Sequence, residues 1–297
     1  MLARLQKFAT LGLLALALLW ALLAWRAGHA AWAVGGAALI VFGYALVLAI
    51  EFALLRTVHG DDPTPRATAA QLLRAWWGEV GHAPLVFCWR QPFRSRRWPD
   101  RLPADARGRR GVLLVHGFVC NRGIWNPWLE RMHALDIPCV AVNLEPVFGS
   151  IDQYADTIEA AVTLLERATG MPPLVVAHSM GGLAIRRWWA ETGNQARVHH
   201  AITIGTPHAG TWLARFAMTP NGHQMQRSST WLLALATREP ADHAARYTCF
   251  YGHCDNIVFP PATAALAGAD NRHLPGVAHV HMASQPEPWQ EALRWLR

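Results

Sequence analysis

Leu174-Val-Val-Ala-His-Ser-Met-Gly-Gly-Leu183 sets a serine between a continuous apolar run and a helix-forming segment. The run reads as a short buried strand and the residues from Gly182 onward as a helix, so Ser179 falls on the tight turn between them. A hydroxyl on such a turn projects above the end of a sheet, and the helix start behind it supplies a free N–H and a partial positive charge. That is the setting of a serine nucleophile, whose chemistry is attack on an electrophilic carbon. Ala177 and Gly181, two residues either side, are small enough for the turn to close, and Gly182 lets the helix start lie close to a neighbouring strand. Five residues alone also fit a serine that merely caps a helix. What separates the two readings is whether the partners of a nucleophile are present.

A nucleophilic serine needs a base, an acid to orient that base, and two N–H donors for the oxyanion. Val112-Leu-Leu-Val-His-Gly-Phe-Val119 is a second apolar run, ending in His116-Gly117. The backbone N–H of Phe118 is then the expected partner of the Met180 N–H in an oxyanion hole, and His116 reads as a structural residue that orients this loop. Ala177-His-Ser-Met-Gly181 resembles the nucleophile turn of the α/β-hydrolases, and that resemblance implies an acid and then a histidine after the serine along the chain. Of the acids after Ser179, only Asp255 follows a clear apolar run, Tyr247–Tyr251, whereas Asp242 and Asp270 read as cap or loop acids. The base is His273, His279 or His281, and the Gly276-Val-Ala-His279 spacing favours His279, with His281 its rival two residues on.

These groups need a sheet to hold them. Short apolar runs at Val112–Val115, Pro138–Asn143, Leu174–Ala177, His199–Ile204 and Tyr247–Tyr251 read as buried strands. Between them, Ile151, Tyr154, Ala155, Ile158, Val162 and Leu165 carry helical spacing to Thr169, with Gly170 as the stop. The alternation predicts an α/β fold with a mostly parallel sheet covered by helices on both faces.

The N-terminal part differs in composition. Phe8–Trp25 and Ala30–Ile50 are uncharged apolar runs of 18 and 21 residues. Each is about the length of a helix crossing a hydrocarbon core of roughly 30 Å. They predict two transmembrane helices, with Trp20, Trp25 and Trp32 near the connecting turn at one interface. A cleaved signal peptide is the alternative for the first run, although no clear cleavage site follows it. The expected organisation is a membrane anchor over 1–60, a juxtamembrane and Arg/Pro-rich linker over 61–110, and a catalytic domain over 111–297. Within the linker, Ala67–Trp77 reads as a helix near the membrane surface, Pro84–Trp89 as a short strand and Gln91–Arg110 as irregular.

The formal net charge is +7, and eight arginines lie between Arg90 and Arg110 against Asp100 and Asp105. Beside a membrane segment such a stretch attracts anionic headgroups, and a solvated arginine-rich linker accounts for it equally well. No nucleic-acid-reading motif accompanies the charge, so nucleic acid is not an expected partner. The five cysteines are odd in number and scattered, which argues against a disulfide framework. Despite 15 histidines, no metal-ligand spacing appears, and neither metal nor cofactor is expected.

Taken together, His116-Gly117, Ala177-His-Ser-Met-Gly181, Gly205-Thr-Pro-His-Ala-Gly-Thr211, Gly252-His-Cys-Asp255 and Gly276-Val-Ala-His279 resemble the lipase and esterase branch of the α/β-hydrolase superfamily, over roughly Gly111–Arg297. Alanine at position 177 departs from the commoner G-x-S-x-G pattern, a sterically small change. The resemblance implies an α/β-hydrolase fold and cleavage of carboxylic esters of lipid or acyl substrates through an acyl-enzyme, with Ser179, His279 and Asp255 as the triad. Residues 211–238 would be the lid, in which Trp231–Leu235 either lines an acyl site or packs as an ordinary helix face. An acyltransferase using the same triad and a non-catalytic membrane module on the same fold are the alternatives. The expected partners are a lipid bilayer and an acyl ester. Arg4 and Lys7 before the first run, and Arg56, Arg66 and Arg74 after the second, predict a multi-pass protein of a bacterial inner membrane with its catalytic domain on the cytoplasmic side. The unpatterned cysteines fit that reducing side.

Overall fold

A computed structural model describes residues 1–297. Its centre is a six-stranded, wholly parallel sheet in the order β2-β1-β3-β4-β5-β6. The strands are β1 Val112–Val115, β2 Cys139–Ala141, β3 Leu174–His178, β4 His200–Ile204, β5 Tyr247–Tyr251 and β6 Asp270–His273. The first five lie within or within a residue of the expected apolar runs. β6 was not expected, because Asp-Asn-Arg-His has no apolar pattern. It is an edge strand paired only with β5, and its side chains are half-buried or exposed.

Alternate side chains of the strands feed two cores, as the period of two requires. Leu113, Val115, Val175 and Ala177 face one side, packing against α7 Ala155–Thr169 and α8 Met180–Thr192. Val112, Leu114, Val176, Ile202 and Phe250 face the other, against α6 Asn126–Ala134 and α12 Pro286–Trp295. Gly170 ends α7 with φ 71° as the expected left-handed cap.

The N-terminal part is α1 Leu2–Arg26, α2 Ala30–Phe42 and α3 Tyr44–Val58. α1 is long and apolar enough to cross a membrane. The second apolar run is not one straight helix: α2 and α3 meet at a 52° bend beside Gly43. The physical reason is tertiary. α3 turns to bury Phe52 and Leu55 against Cys254, Phe259 and Ala278 of the sheet-bearing part. α1 and α2 lie side by side, with Trp20 donating to the Trp32 carbonyl (2.8 Å) over Gly36, where a Cβ would collide with the indole.

The segment expected to be a linker over 61–110 is packed structure. α4 Ala69–Pro84 begins with a Thr68–Gln71 capping box. It runs on as a π-helical turn, Leu85–Arg90, into α5 Gln91–Arg94. The strand expected at Pro84–Trp89 is therefore helical. Its apolar run has no intrinsic period to choose between the two forms, and burial of Val86 against the second core decides. Arg101 exchanges both backbone hydrogen bonds with Cys139 (2.9 and 2.8 Å), strapping the free edge of β2. Several arginines of this stretch are spoken for: Arg101 and Arg109 pair with Asp136, and Arg122 beyond it with Asp100.

α9 Pro220–Gln224 and α10 Thr230–Ala236 form the outer part of the 211–238 segment, and α11 is the single turn His279–Met282. Leu232 of α10 is buried in the first core and Leu235 is buried too, while Leu233 is exposed. The segment is anchored at its C-terminal end by Arg186 of α8, which makes a bidentate pair with Glu239 (2.7 and 2.6 Å) and donates to the His208 carbonyl (2.8 Å). Both side chains of the pair are almost wholly buried. Arg186→Ala leaves the Glu239 carboxylate without its guanidinium, and the expected loss is about 3–5 kcal/mol. The measurement is the thermal midpoint of purified protein in detergent. A variant melting within about 2 °C of the parent would mean that the pair contributes little.

Candidate active site

The order of the sheet reverses between β1 and β3, and loops leaving the carboxyl ends of such adjacent strands form a crevice. Ser179 sits there, on the turn from β3 into α8, with φ 55° and ψ −132°. A non-glycine residue holds such a conformation only where its surroundings fix it. Here the Ser179 N–H donates to the Ile204 carbonyl (2.8 Å), and the Thr206 hydroxyl donates to the Ser179 carbonyl (2.9 Å). The small residues leave no slack. A Cβ on Gly181 would lie 2.6 Å from the His116 carbonyl oxygen, and one on Gly182 2.2 Å from Thr206 Oγ1.

The loop after β1 presses on the same turn, since a Cβ on Gly117 would lie 2.6 Å from Ser179 Cβ. His116 fixes the loop as a neutral two-ended tie: its Nδ1 donates to the Gly117 carbonyl (2.9 Å) and its Nε2 accepts from Leu144 N–H (3.0 Å). Burial above all brings its pKa down to about 4, which keeps Nε2 free to accept. The Phe118 N–H donates to no protein acceptor, and Met180, at the first position of α8, has no intrahelical acceptor for its own. Two unengaged N–H groups thus border the serine.

Asp255, in the loop after β5, is fully buried. Its Oδ1 accepts from the Ile257 and Val258 N–H groups (2.9 and 2.8 Å), and its Oδ2 accepts from His279 Nδ1 (2.9 Å). This bond fixes the tautomer and leaves Nε2 as the reactive edge. Burial drives the His279 pKa down, but the Asp255 charge and hydrogen bond, with Glu79 and Glu51 nearby, outweigh it and leave the pKa raised. Gly205, at φ 58°, makes room: a Cβ there would fall 3.0 Å from Asp255 Oδ2 and 3.1 Å from the imidazole. This accounts for the first glycine of the Gly205–Thr211 segment. Ser179 Oγ and His279 Nε2 are not hydrogen-bonded to each other, a contact that commonly tightens only when substrate is bound.

The rival histidine lies elsewhere. His281 stacks on His82 of α4 at 3.9 Å between ring centroids, and burial lowers its pKa to about 4. Asp270 pairs with Arg272 on the edge strand, and Asp242 precedes β5, at the other end of that strand from Asp255. Sequence reasoning missed four residues at the site. His178 Nε2 donates to the His279 carbonyl (3.1 Å), and Asn256 Oδ1 accepts from the His279 N–H (3.2 Å). Glu51 and Glu79 reach in from α3 and α4. The available signal was a lone acid in each of two helical stretches. No group of three or more His, Cys, Asp or Glu side chains is arranged to hold a metal ion.

No protein-family model and no curated relative matches the sequence. Solved structures do. The mature form of the Bacillus licheniformis lipase BlEst2 superposes with a TM-score of 0.57 at 15% identity, over 65% of this chain and 95% of that one. Its propeptide form gives 0.55 at 17%, over 67% and 52%. Aspergillus fumigatus lipase B gives 0.51 at 19%, over 61% and 51%. The match thus covers about half the length of the last two chains. The fold is the α/β-hydrolase fold.

The geometry predicts that His279→Ala slows reaction of Ser179 with a fluorophosphonate probe by at least about 10³-fold, while His281→Ala stays within about tenfold of the parent. The reverse ranking in labelling rates would move the base to His281.

Proposed function

We propose that the protein is a membrane-anchored serine hydrolase that cleaves carboxylic esters of lipid or acyl substrates. The observation that carries the reading is the buried Asp255–His279 hydrogen bond beside a serine on a strained turn flanked by two free N–H groups. In the proposed reaction Ser179 Oγ attacks the ester carbonyl carbon while His279 Nε2 takes the hydroxyl proton. The tetrahedral oxyanion is held by the Phe118 and Met180 N–H groups. Collapse breaks the bond to the alkoxy group, which leaves as alcohol with the proton from His279. Water, deprotonated by the same nitrogen, then releases the acid and restores the serine. Asp255 holds the ring and stabilises the imidazolium at each step.

Ser179→Ala is expected to lower hydrolysis of para-nitrophenyl esters, read across a series of acyl-chain lengths, by more than about a hundredfold while the protein stays folded. Retention of more than about a hundredth of parental turnover would mean that another group is the nucleophile.

The anchor is the second part of the proposal. α1 carries Phe8, Leu18, Leu23 and Trp25 exposed, and α2 and the first turns of α3 expose Trp32, Leu39, Phe42, Leu46 and Ile50. A bilayer is the medium that such a surface suits. The start of α1 supports a hairpin: Gln6 donates to Gln91 Oε1 (2.7 Å) and to the Val119 carbonyl (3.3 Å). With Val119 on the catalytic part, an α1 that crosses the membrane must be followed by a return through α2 and the start of α3. Arg4 and Lys7 at that end favour the cytoplasmic side. Fusions after Arg297 test the side. Fluorescent green fluorescent protein with inactive alkaline phosphatase is expected, and an active phosphatase with a dark fluorescent fusion would defeat the topology.

A further inference from the structure

The turn that carries His279 begins with three consecutive backbone N–H groups, and each is taken by a side chain from outside the turn. The His279 N–H donates to Asn256 Oδ1 (3.2 Å), that of Val280 to Glu79 Oε1 (3.0 Å) and that of His281 to Glu79 Oε2 (3.1 Å). Asn256 is held in turn, its Nδ2 donating to Glu51 Oε2 (2.6 Å). Glu79 belongs to α4 and Glu51 to α3, so the N-terminal helices, not the sheet, supply the acids that fix this turn. α4 lies as close as a helix backbone allows, since a Cβ on Gly78 would stand 2.8 Å from His281 Nδ1.

We propose that Glu79 and Glu51 are positioning residues for His279: two carboxylates carried by the N-terminal helices hold the histidine-bearing turn in place and add negative charge behind the imidazole. The inference rests on the reading of Ser179, His279 and Asp255 as the triad.

Two observations separate this from ordinary helix capping. A cap needs one acceptor at the helix start, whereas two acids from different helices converge here, one of them through Asn256. Both also lack an ion-pair partner. Glu79 is 1% exposed, and what faces it is the pair of N–H groups, His279 and Asp255, with His281 and His82 on its flank. Facing Glu51 are Asn256, His279 and Asp255. His279 itself faces Asp255, Glu79, Glu51 and His178, so the only group in the cluster that gains a positive charge in the reaction is the imidazole. Burial lifts the Glu79 pKa to about 7, against the pull of its two backbone hydrogen bonds and of His279. Its ionised form is the one that accepts from both N–H groups.

The sign of the effect follows from the role of the histidine. Reaction of Ser179 needs neutral His279, so the rate rises with pH through the His279 pKa. Negative charge behind the ring raises that pKa. Removing it moves the acidic limb of the profile to lower pH. A residue that merely supports the fold would lower the plateau or the yield and leave the limb where it is.

The test is the pH dependence of fluorophosphonate labelling of Ser179 in the full-length protein in detergent, with Ser179→Ala as blank. Glu79→Gln sets an amide N–H against one of the two backbone donors. The expected outcome is a plateau rate lower by roughly tenfold and an acidic limb displaced downward by about half a pH unit. Glu51→Gln can keep its hydrogen bond from Asn256 and lose only charge. Its limb is expected to move in the same direction with a smaller plateau loss, and it keeps the test open if Glu79→Gln does not fold. Labelling with the parental limb in Glu51→Gln, and in Glu79→Gln where it folds, overturns the inference while leaving the triad standing. A parent protein that does not label at all overturns the triad reading and this inference with it.

Discussion

Everything at the site depends on one backbone conformation, the left-handed φ of Ser179 between β3 and α8. The turn costs conformational energy of about 1–3 kcal/mol, and it persists because its neighbours allow no other arrangement. Gly117 and Gly181 let two backbone segments come within van der Waals distance of it, and Gly182 does the same for Thr206. The β4 end then fixes it by hydrogen bonds, from Ser179 N–H to Ile204 and from Thr206 to the Ser179 carbonyl. The strain has a use. It places the side chain against the Gly117 loop, and the next N–H, that of Met180, opens α8 with no intrahelical acceptor. The same crowding brings the Gly117 loop alongside, which is how Phe118 comes to border the serine. One constraint therefore sets Ser179 and the two N–H groups beside it together.

What the sequence made legible was what carries a short-range signal. Small residues around Ser179 mark the turn, and apolar runs such as Leu174–His178 and Tyr247–Tyr251 mark buried strands because both of their faces are covered. Asp255 and His279 were legible by their place after such elements, and the structure brings the two together. The remainder lacked that signal. β6 is polar and half-exposed, an edge strand made by pairing with β5 alone. Leu85-Val-Phe-Cys-Trp89 has a strand's composition, yet it continues a helix that began at a capping box 17 residues before Leu85. The 21-residue apolar run reads as one span because hydropathy does not register where α3 turns to pack on Phe259. Glu51 and Glu79 escaped for a different reason. A search for acids after the serine follows the order of the triad, and these acids precede it by a hundred residues or more.

The histidines show how burial sorts roles among identical side chains. His116, His178 and His208 are all buried, and burial pushes their pKa values down, to about 4 for His116 and about 3 for His178. They remain neutral and serve as fixed hydrogen-bond ties. His279 is as deeply buried, and burial acts on it in the same direction, but three carboxylates surround it and reverse the outcome. The difference is not in the residue or its depth but in the charge placed around it. The site also has to tolerate those carboxylates. Asp255 is satisfied by two backbone N–H groups and the imidazole, whereas the two N–H groups that Glu79 receives offset only part of its burial and its pKa stands at about 7. Such charge-assisted bonds are what make buried ionised acids sustainable.

The N-terminal helices are consequently more than a tether. A domain tied to a membrane by a flexible linker would keep its site intact whatever the anchor did. Here α3 buries Phe52 and Leu55 in a cluster that includes Cys254 and Ala278, the residues immediately before Asp255 and His279. α4 adds Ala75 to the same cluster and Glu79 to the turn that follows. The buried apolar contacts carry the attachment, because each side chain of this size taken out of water stabilises by roughly 1.5–3 kcal/mol. The loops that hold Asp255 and His279 are thus packed from one side by the sheet and from the other by helices continuous with the apolar hairpin. A shift of that hairpin has a direct mechanical route to Asp255 and His279, through their chain neighbours Cys254, Asn256 and Ala278.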